Sequence, residues 1–481
     1  MLLEDLEDLE DILDDITANY SITERVFSAE EETDIVDTCV QVMSDYVDEN
    51  PSAVSEPDFH ESMLENIKEI IFMNYDNFFQ TNSDIEDELE DLIDIAADMF
   101  YLHFMPKRSY NDTFETKMSE KERERVIARL GLLADAPQAE QRTKEWYETR
   151  HRLITASNAY KAFEPDSARN QLIYEKCQPL KYDEMEDPEN KKFELVNIES
   201  PMHWGQKYEP VSVMYYENLF STEVSEYGCI QHETYKFLGA SPDGIVSDPV
   251  LPRFGRMLEI KNIVNRDIDG IPKKEYWIQM QLQMETCDLN ECDFLECRFI
   301  EYDGYTAFME DGSFLKSAKD EHKGVIMHFL TPEGKPNYVY KPLLMDFDEV
   351  ESWEEEQRET LGMSWIKNIY WRLDEVSCVL VLRNRKWFQD NIHTLSSVWD
   401  TILKERKTGC EHRAPNKRAK KEMPIEESVC LLNFDKLTGK VTLASSGKPS
   451  ILDGPFFKVR TESMDETKQN NQNNTGYNPN I

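Results

Sequence analysis

The sequence predicts an α/β protein: a mixed sheet flanked by helices, preceded by an all-helical acidic domain. One observation is periodicity. Residues 1–20 and 30–105 place Leu, Ile, Val and Met every three or four positions among Asp and Glu, as in LEDLEDLEDILDDI and IEDELEDLIDIAADMFYLHF, the mark of amphipathic helices. A second is the order of elements between about 202 and 302, which reads helix, three strands, helix, strand. The third is length, since 481 residues suffice for two or three domains around a large core.

Charge separates the same two parts. The chain holds 95 acidic and 53 basic residues, a formal net charge of −42. Residues 1–100 hold 31 of the acidic residues and only Arg25 and Lys68 as cations, a net of −29, leaving −13 for the rest. Three or four helices are expected here, as a solvated bundle that docks on the core or as a partner-binding, DNA-mimicking module. Nine cysteines without a CxxC pair, no signal peptide and no long apolar span read as a reduced, intracellular, soluble protein with no membrane role. Cys287, Cys292 and Cys297 are evenly spaced, which suggests a metal cluster. They span a helix end and the next strand, so buried core thiols are expected.

Along the chain, SEKERERVIARLGLLAD within 107–135 forms a connecting helix. Trp146 packs, and Ser157 is placed to N-cap the helix NAYKAF after the Thr155-Ala156-Ser157 turn. With Arg150, that helix start attracts anions. Residues 164–200 form a polar insertion with one helix near Ala168–Lys176. A helix follows Gly205, with Val213, Tyr216 and Leu219 on its apolar side and Glu209 free to face a cleft. YGCIQHETYKFLGASPDGIV forms a hairpin, RMLEIKNI a strand, KKEYWIQMQLQMETC a helix and CDFLECRFIEY a strand. Strands are expected at VIMHFL and YVYKPLL. Residues 347–373 read as helical, burying Trp353, Trp365 and Ile369, with further helix over 376–408. Lys404, Arg406, Lys407, Arg413, Lys417, Arg418, Lys420 and Lys421 form a basic cluster, read as a tether, a nuclear-import signal or a DNA-backbone contact. A hairpin around Leu437-Thr438-Gly439 and a low-complexity, disordered tail close the chain. The expected domains are 1–135, 136–345, 346–460 and the tail 461–481.

The chemistry concentrates in Ser241-Pro242-Asp243-Gly244 and Glu259-Ile260-Lys261. Strand alternation sends Glu259 and Lys261 to one face and Leu258 and Ile260 to the other. Asp243, at a hairpin corner, can reach the same point from the neighbouring strand. Carboxylates so placed can hold Mg²⁺, which takes oxygen ligands and keeps several waters, and such a metal serves phosphodiester hydrolysis. Lys261 is placed to orient or deprotonate the attacking water. On the next helix Tyr276, Gln279 and Gln283 share a face. Glu-x-Lys recurs at Glu115/Lys117, Glu321/Lys323 and Glu466/Lys468, but none of these follows a Pro-Asp turn on an apolar strand.

This layout is similar to that of the PD-(D/E)xK nucleases with a restriction-endonuclease-like core. With the flanking motifs in order, the chain resembles the lambda-type exonuclease family, the YqaJ-like viral recombinase nucleases. The motifs are Trp146 with Arg150 and Ser157, Trp204-Gly205 to Glu209, SPDG at 241–244, LEIK at 258–261, and Tyr276, Gln279 and Gln281. The resemblance covers about 140–305. It implies Asp243, Glu259 and the Ile260 carbonyl as metal ligands, Glu209 at a second metal, Lys261 at the nucleophilic water and Gln279 in the catalytic geometry. It implies two Mg²⁺ ions, with Mn²⁺ as a substitute, and Arg150 and Ser157 holding a terminal 5′-phosphate. The implied activity is 5′→3′ exonuclease action on double-stranded DNA ends in viral recombination, replication or end processing. A homotrimer, a single-strand annealing partner and a place in the nucleus or a viral replication site are implied with it. The acidic N-terminal region and the long C-terminal region depart from the compact pattern. Two other readings stand beside this one: a flap or junction endonuclease of the same superfamily, and a non-catalytic scaffold that recruits a partner.

Overall fold

The structure is a computed structural model that describes residues 26–79, 85–111, 113–114, 116–139, 143–180, 198, 200–332, 334–415, 432–434 and 441–443. It divides into two units, Met1–Pro415 and Asn416–Ile481.

In the first unit, helices α1 (Ala29–Glu49), α2 (Phe59–Phe79) and α3 (Ile85–His103) form the expected acidic bundle. A capping box between Ser28 and Glu31 starts α1, satisfying amides that the helix itself leaves free. Ile35, Val36, Cys39, Val40, Met43 and Val47 make its buried stripe. The helix expected over 1–20 lies outside the described residues. The bundle docks on the rest of the unit through the turn at 50–58. Buried Arg108 donates to Val54 O at 3.3 Å and to Pro272 O at 2.9 Å, and Lys274 pairs with Glu56 at 2.7 Å. Connecting helix α4 (Glu120–Asp135) follows as expected.

Two short helices, α5 (Lys144–His151) and α6 (Ala156–Ala159), flank strand β1 (Ile154–Thr155), and α7 (Asp166–Cys177) and α8 (Pro201–Phe220) come next. Helix α8 starts before Gly205, because Ser200 caps it and Pro201 takes its first position, where a missing N–H costs nothing. Strands β2 (Ile230–Gln231) and β3 (Leu238–Ala240) join β1 in a three-stranded sheet ordered β1-β3-β2. The larger sheet takes β4 (Gly244–Ile245), β5 (Met257–Asn262), β6 (Glu291–Glu301), β7 (Lys323–Leu330), β8 (Pro336–Tyr340) and β9 (Ser364–Leu382) in the order β4-β5-β6-β9-β7-β8. Only β5 and β6 are parallel in it. They are joined by the crossover helix α9 (Lys274–Cys287), as parallel neighbours require.

Helices cover both faces of this sheet. Leu258 and Ile260 of β5 pack with Tyr208, Val211 and Tyr216 of α8. Met257 and Phe294 pack on the other side with Trp277, Ile278 and Met280 of α9. Helices α10 (Tyr305–Glu310), α11 (Phe347–Leu361) and α12 (Arg385–Thr408) complete the unit. Among the described residues no helix is long and apolar enough to cross a membrane.

The region after 346 corrects the sequence reading. The expected helix over 347–373 stops at Leu361, where Gly362 adopts φ 59°, the left-handed conformation that ends helices. SWIKNIYWRLDEVSCVLVL then forms β9, 19 residues long, against β6 and β7. Its aromatic and β-branched residues fit a pleated sheet better than a helix. Trp365 stands 45% exposed on this strand rather than buried, while Ile369 is buried as expected. The helix expected over 376–408 begins only at Arg385. In the second unit, Leu432–Phe434 (β10) and Val441–Leu443 (β11) pair antiparallel, as the expected hairpin would. Its turn residues Leu437-Thr438-Gly439 and the tail 461–481 lie outside the described residues.

Cys287, Cys292 and Cys297 are fully buried core thiols. Burial pushes the Cys287 and Cys297 thiols up to about 12, and Cys292 well above the usual range. Since the thiolate is the reactive form, a maleimide at pH 8 is expected to leave all three unlabelled in the native protein and to label them in guanidinium. Mass mapping of the labelled peptides checks this, and rapid native labelling would place them at the surface.

Candidate active site

The SPDG turn and the LEIK strand meet at the edge of the large sheet. Gly244 and Ile245 pair antiparallel with Leu258 and Met257. A Cβ at Gly244 would overlap the Val224 side chain, so glycine is required there. Just before it, Asp243 extends the ladder with both backbone and side chain. Its N–H donates to Leu258 O at 3.2 Å, and its Oδ2 accepts from the Ile260 N–H at 2.7 Å. In an extended strand, the N–H and C=O of one residue point to the same side. The Ile260 carbonyl is therefore directed to the Asp243 side of β5.

Glu259 is fully buried between β5 and α9. Gln279 Nε2 donates to its Oε1 at 2.7 Å and Gln283 Nε2 to its Oε2 at 2.6 Å. Lys261 pairs with Oε1, and its ammonium lies 5.1 Å from the Tyr276 ring centroid. The four-residue helical spacing thus brings Gln279 and Gln283 to one carboxylate. Gln281 faces the opposite way, donating to Leu382 O and accepting from the Asn384 N–H. Gln283 is the Glu259 partner that motif matching leaves out, and its helical spacing from Gln279 is the signal that finds it.

The charges are crowded. Burial, then the Glu259 charge, pushes the Asp243 pKa well above the usual carboxylate range; Glu209 on α8 adds to the rise, while Lys261 and the Ile260 N–H oppose it. For Lys261, burial disfavours the ammonium, but Glu259 and Asp243 outweigh it and raise the pKa. The neighbouring carboxylates thus favour the ammonium form of Lys261.

Asp243, Glu259, Glu209 and the Ile260 carbonyl are hard oxygen donors around a point of excess negative charge, and they fit Mg²⁺ or Mn²⁺ better than a thiophilic metal. No three Asp, Glu, His or Cys side chains among the described residues are grouped closely enough to enclose an ion by themselves. Mg²⁺ tolerates that arrangement, since it keeps waters and takes substrate phosphates as ligands.

Arg150 and Ser157 come together beside this centre. Parallel pairing of β1 with β3 sets the α5–α6 turn along the strand that runs into SPDG. The Arg150 guanidinium lies over the Trp146 ring at 4.5 Å and donates to Ser157 Oγ at 3.4 Å. Among the described residues it has no carboxylate partner within ion-pair distance. Ser157 does not cap the helix, which corrects the sequence reading. Thr155 is the N-cap, in a capping box with Asn158, and leaves the exposed Ser157 hydroxyl turned toward Arg150. The Ser241 hydroxyl, two residues before Asp243, is buried beside the Cys229 thiol.

Residues 145–290, which carry every one of these groups, match the family described as YqaJ-like viral recombinase domain. An uncharacterized protein of Acanthamoeba polyphaga mimivirus is 30% identical over 339 residues, 63% of this chain and 58% of the relative. The chain thus spans 58% of that relative's length. Similar solved structures include an alkaline exonuclease from Laribacter hongkongensis, 19% identical with a TM-score of 0.30, covering 56% of this chain and 95% of that one. A phage-related exonuclease from Haemophilus somnus is 12% identical with a TM-score of 0.26, covering 62% and 98%. Helices α1 to α4 and the elements from β6 to α12 lie outside the YqaJ-like segment.

Proposed function

We propose that this chain is a metal-dependent DNA exonuclease of the PD-(D/E)xK type, acting 5′→3′ on double-stranded ends in viral recombination, replication or end processing. One observation carries the reading: an arginine with no carboxylate partner among the described residues opens beside a buried centre of carboxylates and one lysine, within a YqaJ-like segment. A terminal 5′-phosphate bears about −1.5 to −2 charges at neutral pH, and Arg150 with Ser157 offers it donors at the edge of the centre. Asp243, Glu259 and the Ile260 carbonyl would hold Mg²⁺, with Glu209 at a second ion. Bound there, the metal would supply Lewis acidity and a water of lowered pKa. Gln279 and Gln283 fix the Glu259 carboxylate through both oxygens. The Lys261 ammonium orients the attacking water by hydrogen bonding and offsets charge as the phosphate becomes five-coordinate. Tyr276 shields the lysine on one side.

Linear duplexes with 5′-phosphate or 5′-hydroxyl ends and covalently closed circles, incubated with the full chain and Mg²⁺, test this. Phosphorylated linear DNA is expected to be degraded fastest, circles to persist, and chelation to stop the reaction. Cleavage of circles at a comparable rate would instead establish an endonuclease.

A further inference from the structure

Helix α5, which presents Arg150, is only eight residues long, and its last carbonyls are held by cations from far along the chain. Lys176 of α7 donates from Nζ to Arg150 O at 2.7 Å. Arg406 of α12 donates from Nη2 to His151 O at 2.6 Å. Arg406 also grips the end of α7, reaching Lys176 O from Nε at 3.0 Å and from Nη2 at 2.8 Å. His151 Nε2 completes the knot by donating to Gln178 O at 2.9 Å. Lysine and arginine at helix C-termini commonly satisfy free carbonyls, so these contacts alone describe a brace.

The charge balance goes further than a brace. Arg150, Lys176 and Arg406 converge, and among the described residues none of them lies within ion-pair distance of a carboxylate. Lys176 is 8% exposed. Burial first, then Arg150 and Arg406, lower its pKa to about 8; burial lowers those of Arg150 and Arg406 as well. Carbonyls satisfy their donors but do not neutralise them. Three adjacent cations in a chain of net charge −42 form a local field suited to a doubly charged anion. Arg406 nevertheless lies more than a hundred residues beyond the YqaJ-like segment, which ends at 290.

We infer that helix α12 is a working part of the 5′-end pocket, with Arg406 and Lys176 as positioning residues that fix the α5 turn and aim Arg150 at the terminal phosphate. The inference rests on the end-binding role proposed above. The basic cluster read from the sequence as a tether, import signal or DNA contact is accordingly divided. Arg406 serves the pocket, and Arg413 makes a two-point contact with Glu405 at 2.6 and 2.7 Å. Residues 416–421 lie outside the described residues.

The test compares the initial degradation rates of 5′-phosphorylated and 5′-hydroxyl linear duplexes by the full chain in Mg²⁺, with a melting temperature for each variant. In Arg406→Ala and Lys176→Met the ratio of the two rates is expected to fall roughly tenfold or more, the usual loss when a group that orients a ligand-binding residue is removed. Arg406→Lys, which keeps one donor, is expected to recover part of the ratio. Arg413→Ala, which breaks the contacts to Glu405 of α12 and Asn170 of α7 without touching α5, is expected to lower the melting temperature and keep the ratio. A wild type indifferent to the 5′-phosphate overturns the end pocket itself and the inference with it. A discriminating wild type whose ratio survives both Arg406→Ala and Lys176→Met overturns the inference alone, as does a ratio that falls equally in Arg413→Ala. Should Arg406→Ala not fold, Lys176→Met and Arg406→Lys decide the matter.

Discussion

Replacing Lys261 with alanine is expected to slow phosphodiester cleavage by about a thousandfold, within the range seen for a positioned acid–base or charge-stabilising group, with little change in fold. Among the described residues Lys261 is the one cation paired with Glu259, and the neighbouring carboxylates raise its pKa against its own burial. Its removal takes the ammonium from the centre where negative charge grows during attack on phosphorus. The scaffold is spared, because Gln279 and Gln283 still occupy both Glu259 oxygens at 2.7 and 2.6 Å, and Lys261 retains only partial burial. Single-turnover degradation of 5′-phosphorylated duplex, with circular dichroism melting of the same preparation, separates the two effects. Lys261→Arg should restore little, since a planar fork does not reproduce a compact ammonium on the same strand position. Activity within tenfold of wild type would remove Lys261 from the reaction and favour a scaffold.

How far the sequence reveals this centre depends on whether a residue's partner is local. Glu259 and Lys261 were readable because period-two alternation ties their face to that of Leu258 and Ile260, and both sets lie where alternation puts them. Gln279 and Gln283 were readable as a pair from helical spacing, although the motif Tyr-x-x-Gln-x-Gln points to Gln281, which serves the end of β9 instead. The α9 helix and the strands around it carry strong periodic signals. By contrast, β9 carries charged residues in both directions and follows an amphipathic helix, so only its pairing with β6 and β7 reveals a strand. The Arg406 contact with His151 spans 255 residues, and no local pattern encodes it. Ser157 shows a subtler limit: two hydroxyl residues flank the helix start, and the backbone selects Thr155 as the cap.

Asp293→Ala is expected to destabilise the first unit by about 3–5 kcal/mol, the range for removing one partner of a buried ion pair. Asp293, on β6 behind the active edge, is fully buried. Its Oδ2 accepts from Tyr216 of α8 at 2.7 Å and pairs with Arg253, and its Oδ1 meets Arg256 at 3.3 Å. Burial outweighs both arginines and leaves the Asp293 pKa raised, so the network adds little net stability over a packed apolar core. Breaking it is a different matter. Arg256 would keep Glu291 at 3.0 Å, but Arg253, held over the Phe220 ring at φ 62°, would lose the Asp293 carboxylate and keep a backbone conformation that costs about 1–2 kcal/mol. Tyr216 would lose its acceptor in the core. Asp293→Asn, which retains an acceptor for Tyr216 without the charge, should lose less than Asp293→Ala. Urea unfolding followed by tryptophan fluorescence measures both, and equal losses would assign the effect to the charge rather than to volume or the Tyr216 acceptor. Tyr216 and Phe220 belong to the same helix as Glu209, which is further tied to β5 through Ser212 and Asn262 at 2.8 Å. Loss of the Asp293 anchor should therefore loosen the seat of Glu209 before the unit unfolds. The Mg²⁺ concentration needed for half-maximal cleavage should then rise in Asp293→Asn even where that variant remains folded.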